Sequence, residues 1–220
     1  MANFRQEANR AGKVRKAAAV LFLAGGVFLV YLGGFEYLES RLGQTAAKRE
    51  FQSSFAPAAD TPARPPLAPA DTPDRPWHPR LGEAIGKLTL PRLGAELYVV
   101  EGDGDAELRR GPGHISGSAM PGQLGNCIIA GHRDTHFRVL EDVRRGDTIV
   151  LRTRRGLFSY RVESLRVVSP DNTSVLEATS TAVLSLVTCY PFYYVGNAPE
   201  RFVVEARMVG ALAADASPRS

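Results

Sequence analysis

Cysteine is scarce in this chain of 220 residues: only Cys127 and Cys189 occur. At most one disulfide is therefore available. If residues 127–132 form a strand, Cys127 points away from the face that carries His132. Cys127 then reads as a small core residue rather than as half of a bridge with Cys189. Nucleic-acid-binding motifs are absent as well, and the net charge of +4 does not make up for them. Residues 81–210 hold fifteen Lys/Arg and fifteen Asp/Glu, so the excess lies elsewhere, mainly near the N-terminus. No nucleic-acid partner is expected. Beyond residue 80 the sequence also offers little that favours helix.

One long apolar run is present. Residues 17–35 carry no charge, and as a helix they would rise ~28 Å, about the thickness of a bilayer core. Arg5, Arg10, Lys13, Arg15 and Lys16 precede the run, opposed only by Glu7. Positive charge on that side keeps the N-terminus cytoplasmic and exports the rest. A cleaved signal peptide has a shorter apolar core, ~7–15 residues, that ends at small residues. Here the nearest small cluster, at 45–47, lies well beyond the core. The expectation is an uncleaved single-pass anchor in the inner (cytoplasmic) membrane, with the domain beyond it periplasmic or otherwise extracytoplasmic. In this scheme 1–16 is a basic cytoplasmic segment and 17–35 the transmembrane anchor. Residues 36–55 form a juxtamembrane stretch that continues the helix for a few turns.

Residues 56–79 hold eight of the fifteen prolines, with Ala59-Asp-Thr-Pro-Ala-Arg-Pro65 recurring in varied form at 70–76. Proline at this density forbids helix and sheet and favours a stiff, extended linker. Trp77 ends it, either as an interfacial anchor or, the preferred reading, packed on the edge of the domain that begins at residue 80. Residues 80–210 break into short apolar runs separated by Gly, Pro and Asp. Strands are expected at 87–91 and 97–100 joined through Gly94, at 126–130, 147–153, 157–167, 182–188 and 201–209. Helical turns are expected at 105–110 and 137–143. Seven or eight short strands with little helix read as an all-β barrel or sandwich, followed by a disordered tail at 211–220.

Three residues at the ends of strand-like runs could share one reaction. Cys189 closes the run Leu184-Ser-Leu-Val-Thr-Cys189, His132 follows Ile128-Ile-Ala-Gly131, and Arg201 opens the last run. A thiol attacks as thiolate and needs a base or cation nearby. His132 can take that proton and later protonate a leaving amine. Attack on an amide creates an oxyanion, and Arg201 offers up to five N–H donors with a permanent charge. Phe202, Val204 and Ala206 share one face of the last strand, and Arg201 and Glu205 share the other. Taken singly, each of the three reads as an ordinary residue: a buried thiol, a turn histidine, a solvated arginine.

The ordered set resembles the sortases, the membrane-anchored cysteine transpeptidases of bacterial surfaces. The resemblance rests on Ile129-Ala-Gly-His132-Arg-Asp, Leu186-Val-Thr-Cys189-Tyr-Pro and Glu200-Arg201-Phe-Val-Val204. Gly111-Pro-Gly-His114, Pro121-Gly and Gly146-Asp147 support it. The wording around His132 and Cys189 is similar to the Gram-negative, proteobacterial class, near class D. The resemblance implies a closed eight-stranded β-barrel with a groove in which His132, Cys189 and Arg201 are catalytic. It implies an exported substrate protein with a C-terminal Leu-Pro-X-Thr-Gly-like sorting signal, a thioacyl intermediate and an amine acceptor. No acidic loop cluster suggests a calcium site, so neither metal nor cofactor is expected.

Three further residues are candidate substrate-binding groups. Thr188 would offer a backbone or hydroxyl donor, or else be an ordinary strand residue. His114 sits in a glycine-rich loop that could line the groove. Tyr190, with Phe192, Tyr193 and Tyr194, would wall the groove or pack on the barrel. His136 reads as a surface or rim residue. The rival functions are a thiol peptidase that releases its substrate to water, and a non-catalytic membrane-anchored binding barrel. An L,D-transpeptidase-type enzyme ranks lower, since its Ser-His-Gly-Cys-type motif is missing.

Overall fold

From Ala84 onward, residues that alternate between core and surface build strands, and the strand at 148–153 pairs back onto the first to close a cylinder. The computed structural model describes residues 2–54, 78–194 and 196–213; the side chains of 2–14, 17, 31–37 and 213 lie outside that description. The strands are β1 (Ala84–Leu90), β2 (Ala95–Glu101), β3 (Gly113–His114), β4 (Gly125–Ala130), β5 (Thr148–Thr153), β6 (Gly156–Val168), β7 (Ala182–Tyr190) and β8 (Glu200–Ala213). Their order around the closed barrel is β1-β2-β3-β4-β7-β8-β6-β5. The β2–β3 and β4–β7 pairs are parallel and the others antiparallel.

Among the described residues the helices are α1 (Ala2–Ser53) and α2 (Asp105–Arg110), with 3-10 turns at Pro91–Leu93, His136–Asp142 and Thr173–Leu176. The expected strands and turns are all present. Gly94 ends the first 3-10 turn in the left-handed region, φ 62°, which lets β1 fold back onto β2. The two-residue β3 was not anticipated, because no strand-forming run marks it. The last strand runs on to Ala213 instead of ending near 210, because residues 210–213 pair with 156–159 on β6. The linker expected at 56–79, Trp77 included, falls almost entirely outside the described residues, as does the tail from 214.

The interior is apolar. Leu88, Val99, Ile129, Leu151, Tyr160, Leu184, Leu186 and Val204 are among its fully buried members. On β7 and β8 these inward residues alternate with outward ones, so Leu186 opposes Val204 on the core face while Ser185 opposes Glu205 on the outer face.

The chain divides into two compact units, Met1–Glu39 and Ser40–Ser220. In the first, Val20, Leu21, Phe22, Leu23, Val27, Phe28, Leu29 and Val30 are exposed. The transmembrane helix expected at 17–35 is not borne out as such. Among the described residues no helix is long and apolar enough to cross a membrane. The helix α1 does run through these residues, but the side chains of Ala17 and of 31–35 lie outside the description.

In the second unit the end of α1 packs on the barrel. Ala47 and Phe51 form a small core with Ala84, Tyr98 and Val100, and the Phe51 and Tyr98 rings lie 5.9 Å apart. The helix approaches so closely at Gly43 that a Cβ there would stand 2.6 Å from the Arg110 Cα.

Candidate active site

The register of β4, β7 and β8 gathers the three candidate catalytic residues. Cys189 on β7 is directly opposed to Arg201 on β8. Side chains of directly opposed residues leave the backbone about 5 Å apart. Both point to the outer face, since Thr188 and Phe202 turn toward the interior. On the other side of β7, Ala130 pairs with Val187 in parallel, and the Gly131 N–H donates to the Val187 carbonyl at 3.0 Å. His132 follows that last bonded residue directly, just beyond the end of β4 and beside the end of β7 that carries Cys189. The three candidates thus gather at the neighbouring ends of β4, β7 and β8. His132 is exposed and Cys189 and Arg201 are half-buried.

Gly131 makes the turn into His132 feasible. The Phe137 ring lies over it so closely that a Cβ would meet the ring at 2.7 Å. The Phe137 N–H closes the His132 loop by donating to the His132 carbonyl at 2.9 Å. Arg201 donates through Nη1 to the carbonyls of Ala198 (3.3 Å) and Glu200 (3.0 Å). Among the described residues Nε and Nη2 make no hydrogen bond, so they remain as donors for an oxyanion.

The other candidates take different places. Thr188 is 2 % exposed, and its hydroxyl donates to the Gly131 carbonyl at 2.7 Å. The hydroxyl is thus engaged in joining β7 to the His132 turn. His114 does not line a groove: it is 1 % exposed. Its Nδ1 lies 2.7 Å from a Glu101 carboxylate oxygen, and its Nε2 lies 3.1 Å from the Ala119 carbonyl and 2.9 Å from the Ser118 hydroxyl. Every polar atom of the ring is matched inside the fold. Tyr190 packs on the barrel, its ring 6.1 Å from Phe202 and 5.9 Å from Phe192. His136 is buried rather than at a rim, with Nε2 3.3 Å from the Ser40 hydroxyl.

Both cysteines are free. Cys127 lies in the core with its thiol pushed well up by burial, as an inert structural thiol should be. Among the described residues no cluster of His, Cys, Asp or Glu could hold a metal.

One buried residue beside these candidates has no counterpart in the expectations from sequence. Arg133, beside His132, is buried and donates to three carbonyls of the segment after Cys189: Pro191 (3.1 Å), Tyr194 (2.5 Å) and Gly196 (3.2 Å). Its place within Gly-His-Arg-Asp, next to His132, was the only signal the sequence offered.

The family model described as the Sortase domain matches residues 88–209. The chain belongs to the sortase family. It is a sortase-type cysteine transpeptidase, and enzymes of this family act on exported proteins with sorting signals and on an amine acceptor. It is 30% identical to Sortase D of Bacillus subtilis over 205 residues, which cover 89% of this chain and 100% of that protein. Among solved structures, it resembles a Clostridium perfringens Sortase D5 transpeptidase at 28% identity and TM-score 0.55, covering 60% of this chain and 83% of the other. It also resembles the catalytic domain of Bacillus anthracis SrtD at 30% identity and TM-score 0.54, covering 64% and 97%. These relatives come from Gram-positive bacteria, and the expected proteobacterial placement finds no support in them.

Proposed function

We propose that this sortase is of the class D kind and works from a single N-terminal membrane anchor. It would cleave a C-terminal Leu-Pro-X-Thr-Gly-like signal through Cys189 and pass the acyl fragment to an amine. The observation that carries the catalytic assignment is the direct opposition of Cys189 and Arg201, with the His132 turn bonded to the neighbouring residues of β7. The Cys189 thiolate attacks the scissile carbonyl carbon and forms the S–C bond. Negative charge moves to the carbonyl oxygen, where the Arg201 guanidinium stabilises it. Collapse breaks the C–N bond, and His132 protonates the departing amine. The acceptor amine then attacks the thioester, gives its proton to His132, and expels the thiolate. The class assignment is supported by the Sortase D relative and the Sortase D5 and SrtD structures.

The anchor is supported by the uncharged run at 17–35, the basic residues before it, and the exposed apolar side chains between Val20 and Val30. On this reading the N-terminus is cytoplasmic and the barrel extracytoplasmic. The testing experiment is to trap the acyl-enzyme with a Leu-Pro-X-Thr-Gly peptide and read the adduct by mass. The expected adduct sits on Cys189 and ends at the threonine, and adding an amine converts it to a transfer product. Release by water alone, unaffected by the amine, would make the chain a peptidase instead.

A further inference from the structure

We propose that Arg133 is a positioning residue for the reaction: it fixes the distance between His132 and Cys189 by clamping the segment that leaves the cysteine. This rests on the assignment of His132 and Cys189 as catalytic. Arg133 is 6 % exposed. A guanidinium so far from water carries a large desolvation cost unless its N–H groups are bonded. Here Nη1 takes the Pro191 carbonyl, Nη2 takes those of Tyr194 and Gly196, and Nε reaches an Asp134 carboxylate oxygen at 3.3 Å. The guanidinium also stands 5.8 Å from the centre of the Tyr194 ring.

All three carbonyls belong to residues 191–196, the connection between Cys189 and Arg201. Arg133 is also the next residue to His132, so the clamp and the imidazole share a peptide unit. On its other side His132 is fixed through Gly131, whose N–H and carbonyl are both bonded to β7. The His132 backbone is therefore held at both ends by the strand and the loop that carry Cys189. Releasing either end lets the imidazole drift, and a drift of about 1 Å between reacting groups costs on the order of a hundredfold in rate.

Arg138 offers an internal contrast. It donates to the Phe192 carbonyl at 2.9 Å from the same loop's other flank and stands 3.8 Å from the centre of the exposed Tyr193 ring. It is half-buried, pairs with Glu141, and lies six residues from His132. It steadies the loop without tying it to the imidazole.

The test compares Arg133→Met, Arg133→Lys, Arg138→Met and Cys189→Ala in the full chain, using a sorting-signal peptide and an amine acceptor. Arg133→Met is expected to lower kcat about ten- to a hundredfold with KM changed less than about threefold, and to move the pH optimum. Lysine keeps the charge but cannot span three carbonyls, so Arg133→Lys recovers only part of kcat. Methylguanidine added to Arg133→Met restores part of the rest. Arg138→Met stays within about threefold of the parent.

Equal kcat and an unchanged pH profile in folded Arg133→Met or Arg133→Lys would overturn the proposal, as would an equal loss in Arg138→Met. Should Arg133→Met fail to fold, the lysine variant carries the test, with the pH dependence of Cys189 alkylation by iodoacetamide as a second measurement. An unaltered alkylation profile in Arg133→Lys counts against the clamp. Activity that survives in Cys189→Ala would refute the catalytic assignment itself, and that result is separate from any seen with Arg133.

Discussion

Strand β7 is two different structures along its length. Its middle places Leu184 and Leu186 in the barrel interior among Ile129, Leu151 and Val204, where area removed from water is the main stabilising effect. Its end places Thr188 against the Gly131 carbonyl and Cys189 opposite Arg201, where position is set by hydrogen bonds and by a buried guanidinium gripping backbone carbonyls. Apolar packing tolerates small shifts because it is non-directional, whereas a nucleophile and its base work only at a fixed separation. The middle of the strand therefore serves stability and its end serves geometry, and the two can be disturbed separately.

Leu186→Ala should give the largest effect. Removing a fully buried leucine costs about 2–5 kcal/mol, depending on how far the cavity closes. Urea unfolding measures the loss, and kcat per folded molecule should hold at temperatures well below melting. Arg201→Lys should do the reverse. It keeps a charge but loses the planar fork, and the loss of oxyanion stabilisation should lower kcat by about a hundredfold or more, with little change in the unfolding midpoint. If Leu186→Ala abolished kcat in folded protein, or Arg201→Lys chiefly lowered stability, the division along β7 would be wrong.

His136 tests whether the boundary between the two regions is sharp. Burial pushes its imidazole down to about 4; the Arg109 carbonyl pulls the other way, and nearby His132 adds to the depression. The folded protein keeps this ring neutral, while the unfolded chain takes up a proton from about pH 6.5 downward. Stability from this group is then complete above pH 6.5 and falls as the pH drops toward 4, at about 1.4 kcal/mol per pH unit. The total is up to about 3 kcal/mol. Melting temperature followed from pH 7 to 4 should show this slope, and His136→Asn should flatten it. A slope that survives the substitution would assign the acid sensitivity elsewhere.

Much of the fold was legible because its signals are local. Alternation and glycine turns marked seven of the eight strands, and Gly94 marked the reversal between the first two. The missing strand, β3, spans only Gly113 and His114, and its pairing depends on partners at Val100 and Ala130 that no local pattern reveals. The opposition of Cys189 and Arg201 could be anticipated because each lies next to a strand end whose parity can be counted, and His132 follows β4 by two residues. His114 was misplaced and Arg133 passed over for one reason. Polar side chains suggest a surface or a groove, yet both are buried with their polar atoms matched by Glu101, Ala119, Pro191, Tyr194 and Gly196. Burial of a polar group becomes visible only when its partners are known. The docking of α1 on the barrel was hidden in the same way, because Gln44 and Gly43 look ordinary without Tyr98 and Arg110.

Gln44 gives the smallest and most specific test. Its amide oxygen accepts the Tyr98 N–H at 2.7 Å, while its nitrogen donates to the Tyr98 and Arg110 carbonyls, both at 2.9 Å. One side chain thus stands in for a neighbouring strand beside β2, where β3 is too short to reach. Gln44→Ala leaves those backbone groups unpaired and should cost about 1–3 kcal/mol without lowering kcat in folded protein. Gln44→Glu sharpens the point. A carboxylate still accepts from the Tyr98 N–H but has no donor for the two carbonyls, so at neutral pH it should destabilise at least as much as alanine. Amide exchange at Tyr98 separates the two, since glutamate should preserve protection there and alanine should not. If both variants kept full stability and Tyr98 stayed protected in Gln44→Ala, the end of α1 would be resting on the barrel without bracing it.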